Sequence, residues 1–206
     1  MDIQKQVLNG VHNAAVFKRR VRVLSTLLAA EMQSGESVLD VGCGDGSIAV
    51  AIQSHAPHLT FSGIDVFLRP QVAIPAVVYD GITIPHADNS FDWVTIVDVL
   101  HHTDDPSVVL AECARVARKG VVIKDHLREG VAAGQTLRFM DWVGNRGHDV
   151  RLPYNYLSKA EWHAIFDKIG AKVLTWNEQL GLYPQPFSMA FDRGLHFIGA
   201  IRKTVN

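Results

Sequence analysis

The chain has 206 residues, 48% of them hydrophobic and 20% charged, and its formal net charge is -1. This size predicts one domain with a substantial core, and the near-neutral charge argues against a long nucleic acid as partner. Two distant cysteines predict neither a disulfide framework nor a metal site, and the lack of a signal-peptide layout or a long apolar run predicts a soluble cytoplasmic protein.

The first predicted element is a helix from Asn13, a suitable N-cap, to about Gln33, because apolar residues recur there at helical spacing. Residues 1–35 would form an N-terminal helical segment ahead of the sheet. Its basic cluster, Lys18-Arg19-Arg20, is expected on the solvent-facing side of the helix, where long cationic side chains usually lie.

Strands and helices alternate from residue 37 onward. The helices are expected to end at Pro57, at the C-terminal glycine Gly120 and at Gly170, and the last of them opens with the capping box Ser158–Glu161. Such alternation predicts an α/β fold with a mostly parallel sheet, helices on both faces and ligands at the carboxyl ends of the strands. The strands are expected at residues 37–41, 59–65, 77–79, 91–98, 121–124, 172–176 and 195–201.

Residues 127–157 interrupt this alternation. Segments of this length inside a compact domain are often lids or binding loops, so we expect a substrate-binding insertion within a single domain over residues 1–206. The alternative is a surface excursion that is packed by its own aromatic residues. The candidate substrate contacts are Asp141, Trp142, His148, Tyr154 and Tyr156.

The turn after the first strand carries alternating glycines, in the sequence Asp40-Val-Gly-Cys-Gly-Asp-Gly46. Glycine lets the backbone adopt positive φ and approach a ligand closely, and the N–H groups at the start of the next helix favour an anionic group. Asp65 ends the next strand roughly 20 residues later, where an acid commonly accepts hydrogen bonds from ribose hydroxyls. The pattern predicts a site for a small nucleoside-containing metabolite.

This G-x-G-x-G spacing resembles motif I of the class I S-adenosylmethionine-dependent methyltransferases, whereas dinucleotide sites usually show G-x-G-x-x-G. Residues 80–92 resemble the family's passage D-G-x-x-L-P-F-x-D-x-S-F-D. Residues 97–102 resemble the end of the fourth strand in the type 11 branch, which includes ubiquinone and menaquinone methyltransferases. The resemblance implies a Rossmann-like three-layer sandwich with a seven-stranded sheet, and S-adenosylmethionine as cofactor.

The resemblance also implies the roles of individual residues. The glycine turn would lie against the methionyl part of the cofactor, Asp65 would hold the ribose, Asp80 would meet the adenine, and the backbone near Asp98 would lie beside the sulfonium. The implied cofactor-binding residues are Asp40, Gly42, Cys43, Gly44, Gly46, Asp65, Val66, Asp80, Gly81, Ile82, Asp98, Val99 and Leu100. Cys43 is interpreted as a small turn residue rather than a nucleophile.

Three histidines at predicted strand ends are the candidate catalytic residues, namely His101, His102 and His126. A histidine near neutral pKa would help if the acceptor starts protonated. The alternative for His102 is that it braces the loop. The adjacent Asp125 could orient His126, although neighbours on a strand often point apart.

The predicted function is transfer of a methyl group to a small acceptor that is partly hydrophobic or aromatic. One alternative is a non-catalytic partner subunit that keeps the fold and the cofactor. The other is a nicotinamide-dependent oxidoreductase, which the glycine spacing disfavours. The acceptor atom, the acceptor itself and the oligomeric state are left open by the sequence.

Overall fold

The computed structural model describes residues 18–144 and 154–204, so the predicted N-cap Asn13 and the candidate His148 lie outside the described residues. The strands are β1 Ser37–Val41, β2 Thr60–Asp65, β3 Ala76–Val78, β4 Phe91–Val97, β5 Ala117–His126, β6 Ala171–Asn177 and β7 His196–Lys203. The helices are α1 at residues 18–31, α2 Ser47–His55, α3 Pro106–Val116, α4 Ala133–Gly144, α5 Lys159–Lys168 and α6 Ser188–Phe191, with a 3-10 turn at Leu100–His102.

The strands form one seven-stranded sheet in the order β3-β2-β1-β4-β5-β7-β6. The first five in this order are parallel, and β7 runs antiparallel to both β5 and β6. The carboxyl ends of β1, β2, β4 and β5 therefore meet at one edge of the sheet, where ligands bind in such folds. The predicted α/β fold with a mostly parallel sheet is confirmed.

The core lies in two apolar layers, one on each face of the sheet. Side chains alternate between the faces along each strand, so in β5 Val121 and Ile123 contact one layer and Val122 the other. Helices α3 and α5 cover the first face, with Trp162 fully buried, and α1 and α2 cover the second, with Leu28 fully buried. The three-layer arrangement predicted from the sequence is thus observed.

The predicted helix end at Gly120 is wrong. Helix α3 ends at Val116, and β5 begins at the next residue, so Gly120 lies inside a strand. A Cβ on Gly120 would lie 2.6 Å from the carbonyl oxygen of Ile201 and 2.9 Å from the Trp93 ring. Glycine occupies this position because neighbouring groups approach it closely, and not because a helix ends there.

The capping box before α5 is confirmed. The N–H of Glu161 donates to the Ser158 hydroxyl, and the Glu161 carboxylate accepts from the N–H of Ser158 at 2.7 Å. Gly170, with φ of +65°, ends this segment as predicted. In the insertion, α4 occupies residues 133–144, so part of the expected lid is helical. None of the helices described is long and apolar enough to cross a membrane.

Candidate active site

The turn after β1 is built on glycines in the left-handed region. Gly42, Gly44 and Gly46 have φ values of +73°, +57° and +75°, which residues with a Cβ rarely adopt. The N–H of Gly42 donates to the carbonyl of Ile64 at 2.8 Å, and the N–H of Gly46 donates to that of Cys43 at 2.8 Å. The predicted glycines therefore form one tight turn that is tied to the end of β2.

The two sides of this turn differ. A Cβ on Gly42 would lie 2.4 Å from Cγ2 of Val99, so the backbone is packed directly against the segment after β4. A Cβ on Gly44 would meet no atom within 4 Å. The turn is thus closed toward the protein at Gly42 and open at Gly44, and the open side is where a ligand can approach the backbone.

Asp65, at the end of β2, lies beside the open side of the turn. Its Oδ2 accepts a hydrogen bond from the N–H of Gly44 at 2.8 Å, and its Oδ1 accepts one from the N–H of Phe67 at 3.1 Å. A carboxylate can accept about four hydrogen bonds, and this side chain is only partly buried. Asp65 can therefore accept further hydrogen bonds from ribose hydroxyls, as the sequence predicts.

An apolar pair flanks this acid. Val66, which follows Asp65 in the chain, is 60% exposed, and Ile82 is 59% exposed. A Cβ on Gly81 would lie 3.0 Å from Cγ1 of Val66, so the two loops approach each other there. Exposed aliphatic side chains in converging loops suit the faces of a planar base.

Asp80 has a turn role in the structure. Its Oδ1 accepts hydrogen bonds from the N–H groups of Ile82 and Thr83, both at 2.7 Å, and these bonds lower the pKa of the carboxyl. The side chain is exposed. Its assigned contact with an adenine amino group stays a prediction, and the oxygen that would make the contact is Oδ2.

The side chains of Asp40 and Cys43 lie beneath the turn and are almost closed off from solvent. Asp40 is 5% exposed and accepts a hydrogen bond from the Thr95 hydroxyl at 2.8 Å. Burial raises the pKa of Asp40 to about 7, against the opposing effect of that hydrogen bond. Burial also raises the pKa of Cys43 to about 12, which agrees with its interpretation as a turn residue rather than a nucleophile.

A polar cavity of about 200 Å³ lies beyond the carboxyl end of β4. All three predicted catalytic histidines and one predicted substrate contact, Asp141, line this cavity. The residues that line the polar cavity are Arg20, Asp98, His101, His102, His126, Met140, Asp141 and Tyr183.

Asp98 connects this cavity to the glycine turn. Its Oδ2 accepts a hydrogen bond from the Arg20 guanidinium at 3.0 Å, and its Oδ1 pairs with the ammonium group of the buried Lys124. Burial alone would raise the pKa of Asp98, but Lys124 and Arg20 outweigh it and hold this pKa well below its usual range. Because Val99 packs against Gly42 and Asp98 lines the polar cavity, residues 98–99 adjoin both the turn and the cavity.

His101 is held by a buried carboxylate from β5. Its Nδ1 lies 2.7 Å from Oδ1 of Asp125, and Oδ2 of Asp125 accepts a hydrogen bond from the N–H of Leu100 at 3.0 Å. Burial would lower the pKa of His101, but the carboxylates of Asp125 and Asp141 outweigh it and raise the pKa. The acid next to His126 in sequence is thus the hydrogen-bond partner of His101, and it lies 3.4 Å from Nδ1 of His126.

The carboxylate of Asp141 lies close to both His101 and His126. Its Oδ2 lies 3.4 Å from Nε2 of His101, and its Oδ1 lies 3.8 Å from Nε2 of His126. The hydroxyl of Tyr156 donates to Asp141, and both residues are buried. The insertion therefore places the carboxylate of Asp141 beside the strand-end histidines, and its predicted contact with a substrate stays a prediction.

The other predicted site residues have different surroundings. His102 lines the polar cavity and is half-buried. Trp142 is 50% exposed. Tyr154 is half-buried, and the Arg138 guanidinium lies 5.2 Å from the centre of the Tyr154 ring. The Leu100 side chain is fully buried, and the N–H of Leu100 donates to Asp125. The predicted contact of Leu100 with the cofactor therefore concerns its backbone and not its side chain.

Sequence reasoning missed four residues of this site. Arg20, expected at the solvent-facing side of α1, reaches Asp98 instead, and its side chain is 31% exposed. Lys124 was interpreted only as a strand residue, Asp125 only as a possible partner of His126 and not of His101, and His196 at the start of β7 was not assigned a role. The signal that could have found Lys124 and Asp125 is that charged residues interrupt an otherwise apolar central strand, where a buried charge is rare without a partner.

S-adenosylmethionine fits the cleft formed by these residues. The open side of Gly44 admits a ligand against the backbone, Asp65 offers free acceptor positions, and Val66 and Ile82 provide apolar faces for a base. S-adenosylmethionine carries three matching chemical features, namely a polar methionyl tail, a ribose diol and a planar base.

The comparisons with known proteins agree with this geometry. Residues 39–123 match a family model described as a methyltransferase domain. The ubiquinone biosynthesis O-methyltransferase of Hahella chejuensis is 35% identical over 98 residues, which cover 42% of this chain and 40% of that enzyme. The enzyme of the same name from Citrobacter koseri is 27% identical over 181 residues, which cover 78% of this chain and 70% of that enzyme.

A SAM-dependent methyltransferase from Aquifex aeolicus shares the fold, with a TM-score of 0.57 at 18% identity over 91% of this chain and 97% of that one. The sheet order, the glycine turn and the acid after β2 together match the fold of S-adenosylmethionine-dependent methyltransferases, and the chain is similar to proteins of that class. Within the class, the chain is homologous to the ubiquinone biosynthesis O-methyltransferases, at low identity. The match spans less than half the length of the Hahella enzyme.

Proposed function

We propose that this chain transfers a methyl group from S-adenosylmethionine to an oxygen atom of a small, hydroxyl-bearing molecule bound in the polar cavity. The observation that carries the proposal is that residues 98–99 adjoin both the glycine turn and the polar cavity. Val99 packs against the glycine turn at Gly42, and Asp98 lines the polar cavity on the other side. Donor and acceptor would therefore be held at adjacent sites that share one short backbone segment.

The chemistry of this reaction makes modest demands on the protein. When bound, S-adenosylmethionine supplies a methyl group that is already activated on a sulfonium. Alignment of two bound reactants can provide most of the acceleration. The chain contributes by binding: the turn around Gly44 and the Asp65 carboxylate hold the cofactor, and Val66 and Ile82 flank its base.

The acceptor must lose a proton when its oxygen is methylated, since the O–H bond breaks as the O–C bond forms. The polar cavity places His101, His126 and Asp141 together, and each offers a nitrogen or oxygen atom to an acceptor hydroxyl. We assign the activation of the hydroxyl to these three residues. His102 lines the same cavity, with its ring centre 4.0 Å from that of His101, and we assign it a bracing rather than an activating role.

The O-methyltransferase names of the two relatives support an oxygen acceptor, as does the polar lining of the cavity. The small size of the cavity, about 200 Å³, suits a single ring that carries hydroxyl groups rather than a long polymer. We also assign Trp142, Tyr154 and Tyr156 to the acceptor side, since they belong to the insertion that contributes Met140 and Asp141 to the cavity lining.

The test is a product assay with S-adenosylmethionine and a panel of phenols, catechols and matched anilines, analysed by mass spectrometry. We expect a methyl ether and S-adenosylhomocysteine from a hydroxyl acceptor. The variant His126→Gln should lose turnover while it keeps its affinity for S-adenosylmethionine. Asp88→Asn serves as the control, because Asp88 lies beyond the amino end of β4 and pairs with Arg115 there. Methylation of the anilines alone would contradict the proposal.

A further inference from the structure

Asp125 is a buried carboxylate that holds the turn carrying His101. It lies near the end of β5, is 1% exposed and accepts three hydrogen bonds. The donors are the N–H of Leu100 at 3.0 Å, the N–H of His126 at 2.7 Å and Nδ1 of His101 at 2.7 Å. Burying a carboxylate without such partners is strongly unfavourable. Two of these bonds fix the backbone, and the third fixes an imidazole ring that lines the polar cavity.

The bond to Nδ1 determines which nitrogen of His101 can accept a proton. Burial alone would raise the pKa of Asp125, but His101 and His126 outweigh burial and lower it, so this carboxylate is ionised. An ionised carboxylate only accepts hydrogen bonds, and Nδ1 of His101 must therefore carry a hydrogen. In the neutral ring the lone pair is then on Nε2. This atom lies 3.4 Å from Oδ2 of Asp141, a residue of the cavity lining.

We propose that Asp125 is a positioning residue, which holds His101 so that Nε2 takes the proton of the acceptor hydroxyl. The inference deepens the proposed function and rests on it for the proton transfer. The O–H bond of the acceptor breaks, and an N–H bond forms at Nε2. The oxygen keeps the electron pair of the O–H bond and bonds to the methyl carbon as the carbon–sulfur bond breaks, with that electron pair left on sulfur. His101 then releases the proton to solvent.

The imidazolium formed by this step has a carboxylate beside each ring nitrogen. Oδ1 of Asp125 lies 2.7 Å from Nδ1 of His101, and Oδ2 of Asp141 lies 3.4 Å from Nε2. Burial would lower the pKa of His101, but these two carboxylates outweigh it and raise the pKa. The charged product of the proton transfer is thus stabilised, although the ring is almost closed off from solvent.

His126 is less well placed to take the proton. Its Nδ1 lies 3.4 Å from Oδ1 of Asp125 and 3.6 Å from Oδ1 of Asp98, and both distances exceed those of a good hydrogen bond, about 2.7–3.2 Å. Burial, Lys124 and His101 lower the pKa of His126, so it is the weaker base of the pair. We therefore assign His126 to binding the acceptor hydroxyl rather than to taking its proton.

The charged and titratable groups around His101 come from several elements. They are Asp98 and His102 beside the same turn, Asp125 and His126 on β5, Asp141 on α4, Tyr156 before α5, and Arg20 and Lys124, which both pair with Asp98. Asp125 makes the shortest of the ring contacts described, at 2.7 Å. Removing its charge should therefore lower the pKa of His101.

The experiment measures turnover of the unaltered chain and of Asp125→Asn between about pH 5 and about pH 9, with the phenol or catechol that is methylated fastest. In the unaltered chain kcat/KM should rise with pH as His101 loses its proton. In Asp125→Asn this rise should move to lower pH, because the carboxylate that raises the pKa of His101 is gone. The value of kcat should fall on the order of 100-fold or more, with unchanged affinity for S-adenosylmethionine.

Asp92→Asn is the matched control. Asp92 also accepts hydrogen bonds from two backbone N–H groups, those of Glu36 at 2.8 Å and Ser37 at 3.2 Å, but it lies at the start of β4, at the opposite edge of the sheet. Both variants should lose stability in urea. Only Asp125→Asn should change kcat and the pH profile, which a purely structural role would not explain.

Nuclear magnetic resonance of the chain labelled with isotopic nitrogen in its histidines measures the tautomer without any change at Asp125. His101→Gln identifies the signals of this ring. At a pH above its pKa, His101 should carry its hydrogen on Nδ1, as the bond to Asp125 requires. A hydrogen on Nε2 would overturn the inference. If Asp125→Asn does not fold, this measurement decides.

Two further outcomes are informative. Equal kcat and an equal pH profile in folded Asp125→Asn and the unaltered chain would overturn the positioning role and leave the proposed function standing. No methyl ether from the unaltered chain with any hydroxyl acceptor would overturn the proposed function, and the proton transfer to His101 with it.

Discussion

The Asp65 carboxylate accepts a hydrogen bond at 2.8 Å from the N–H of Gly44, which lies 21 residues earlier in the chain. This bond ties the end of β2 to the middle of the turn after β1. The ribose acid and the glycine backbone are therefore one unit, and a ligand that contacts either element is placed against the other. Changes on either side of this bond should act on the same binding event.

The open side of Gly44 predicts a variant that binds poorly without unfolding. Gly44→Ala places a methyl group where the cofactor would lie, at a φ of +57° that costs alanine about 1 kcal/mol. Gly130→Ala is the matched control, because Gly130 also has positive φ and open space around it. We expect similar losses in the free energy of unfolding, measured in urea, for the two variants.

Calorimetry with S-adenosylhomocysteine separates these two variants. Gly44→Ala should lose at least tenfold in affinity, and Gly130→Ala should bind as the unaltered chain does. Equal affinities would show that the open side of the turn does not face the ligand.

Asp40 predicts a pH dependence of stability. Its pKa is raised to about 7 by burial, so the folded state holds this proton more tightly than the unfolded state. The stabilisation that comes from this proton is complete below the unfolded pKa and is lost as the pH rises through about 7. The unaltered chain should therefore lose stability relative to Asp40→Asn between about pH 4 and pH 7, by at most about 1.4 kcal/mol per pH unit.

Urea unfolding of both proteins from about pH 5 to about pH 8 measures this difference. Asparagine keeps the shape of the side chain and can still accept the hydrogen bond from Thr95. A difference between the two proteins that stays constant with pH would contradict a raised pKa for Asp40.

Cys43 should resist alkylation in the folded protein. The thiol is 8% exposed, and burial raises its pKa to about 12, so little thiolate exists near neutral pH. A Cβ on Gly63 would lie 2.5 Å from the sulfur, which shows how tightly the site is packed. Iodoacetamide followed by peptide mass spectrometry should modify Cys43 only after denaturant is added. Rapid modification of folded protein would indicate an exposed, reactive thiol.

The sequence predicted the glycine turn and its proximity to Asp65 because these residues are local. Gly42, Gly44 and Gly46 lie within one turn, and Asp65 follows at the end of the next strand, so spacing along the chain already implies proximity. The same reasoning failed at Gly120, which was interpreted as the glycine that ends a helix. This residue is glycine for another reason, because Ile201 and the Trp93 ring leave no room for a side chain. Such packing depends on a strand some 80 residues away.

The acceptor side could not be predicted in the same way. Its contacts join α1, the turn after β4, β5 and α4, and no spacing rule relates Arg20 to Asp98 or Asp125 to His101. Only the fold brings His101, His126 and Asp141 within a few ångströms of one another.

The most direct test is calorimetric titration of S-adenosylhomocysteine into the unaltered chain and into Asp65→Asn, with Asp88→Asn as a charge-matched control at the opposite edge of the sheet. A charged hydrogen-bond acceptor contributes about 1.5–3 kcal/mol, so Asp65→Asn should weaken binding about 10- to 100-fold, and Asp88→Asn should leave it unchanged. Equal affinity of Asp65→Asn and the unaltered chain, or no binding by folded unaltered protein, would contradict the placement of the adenosyl site beside Gly44 and Asp65.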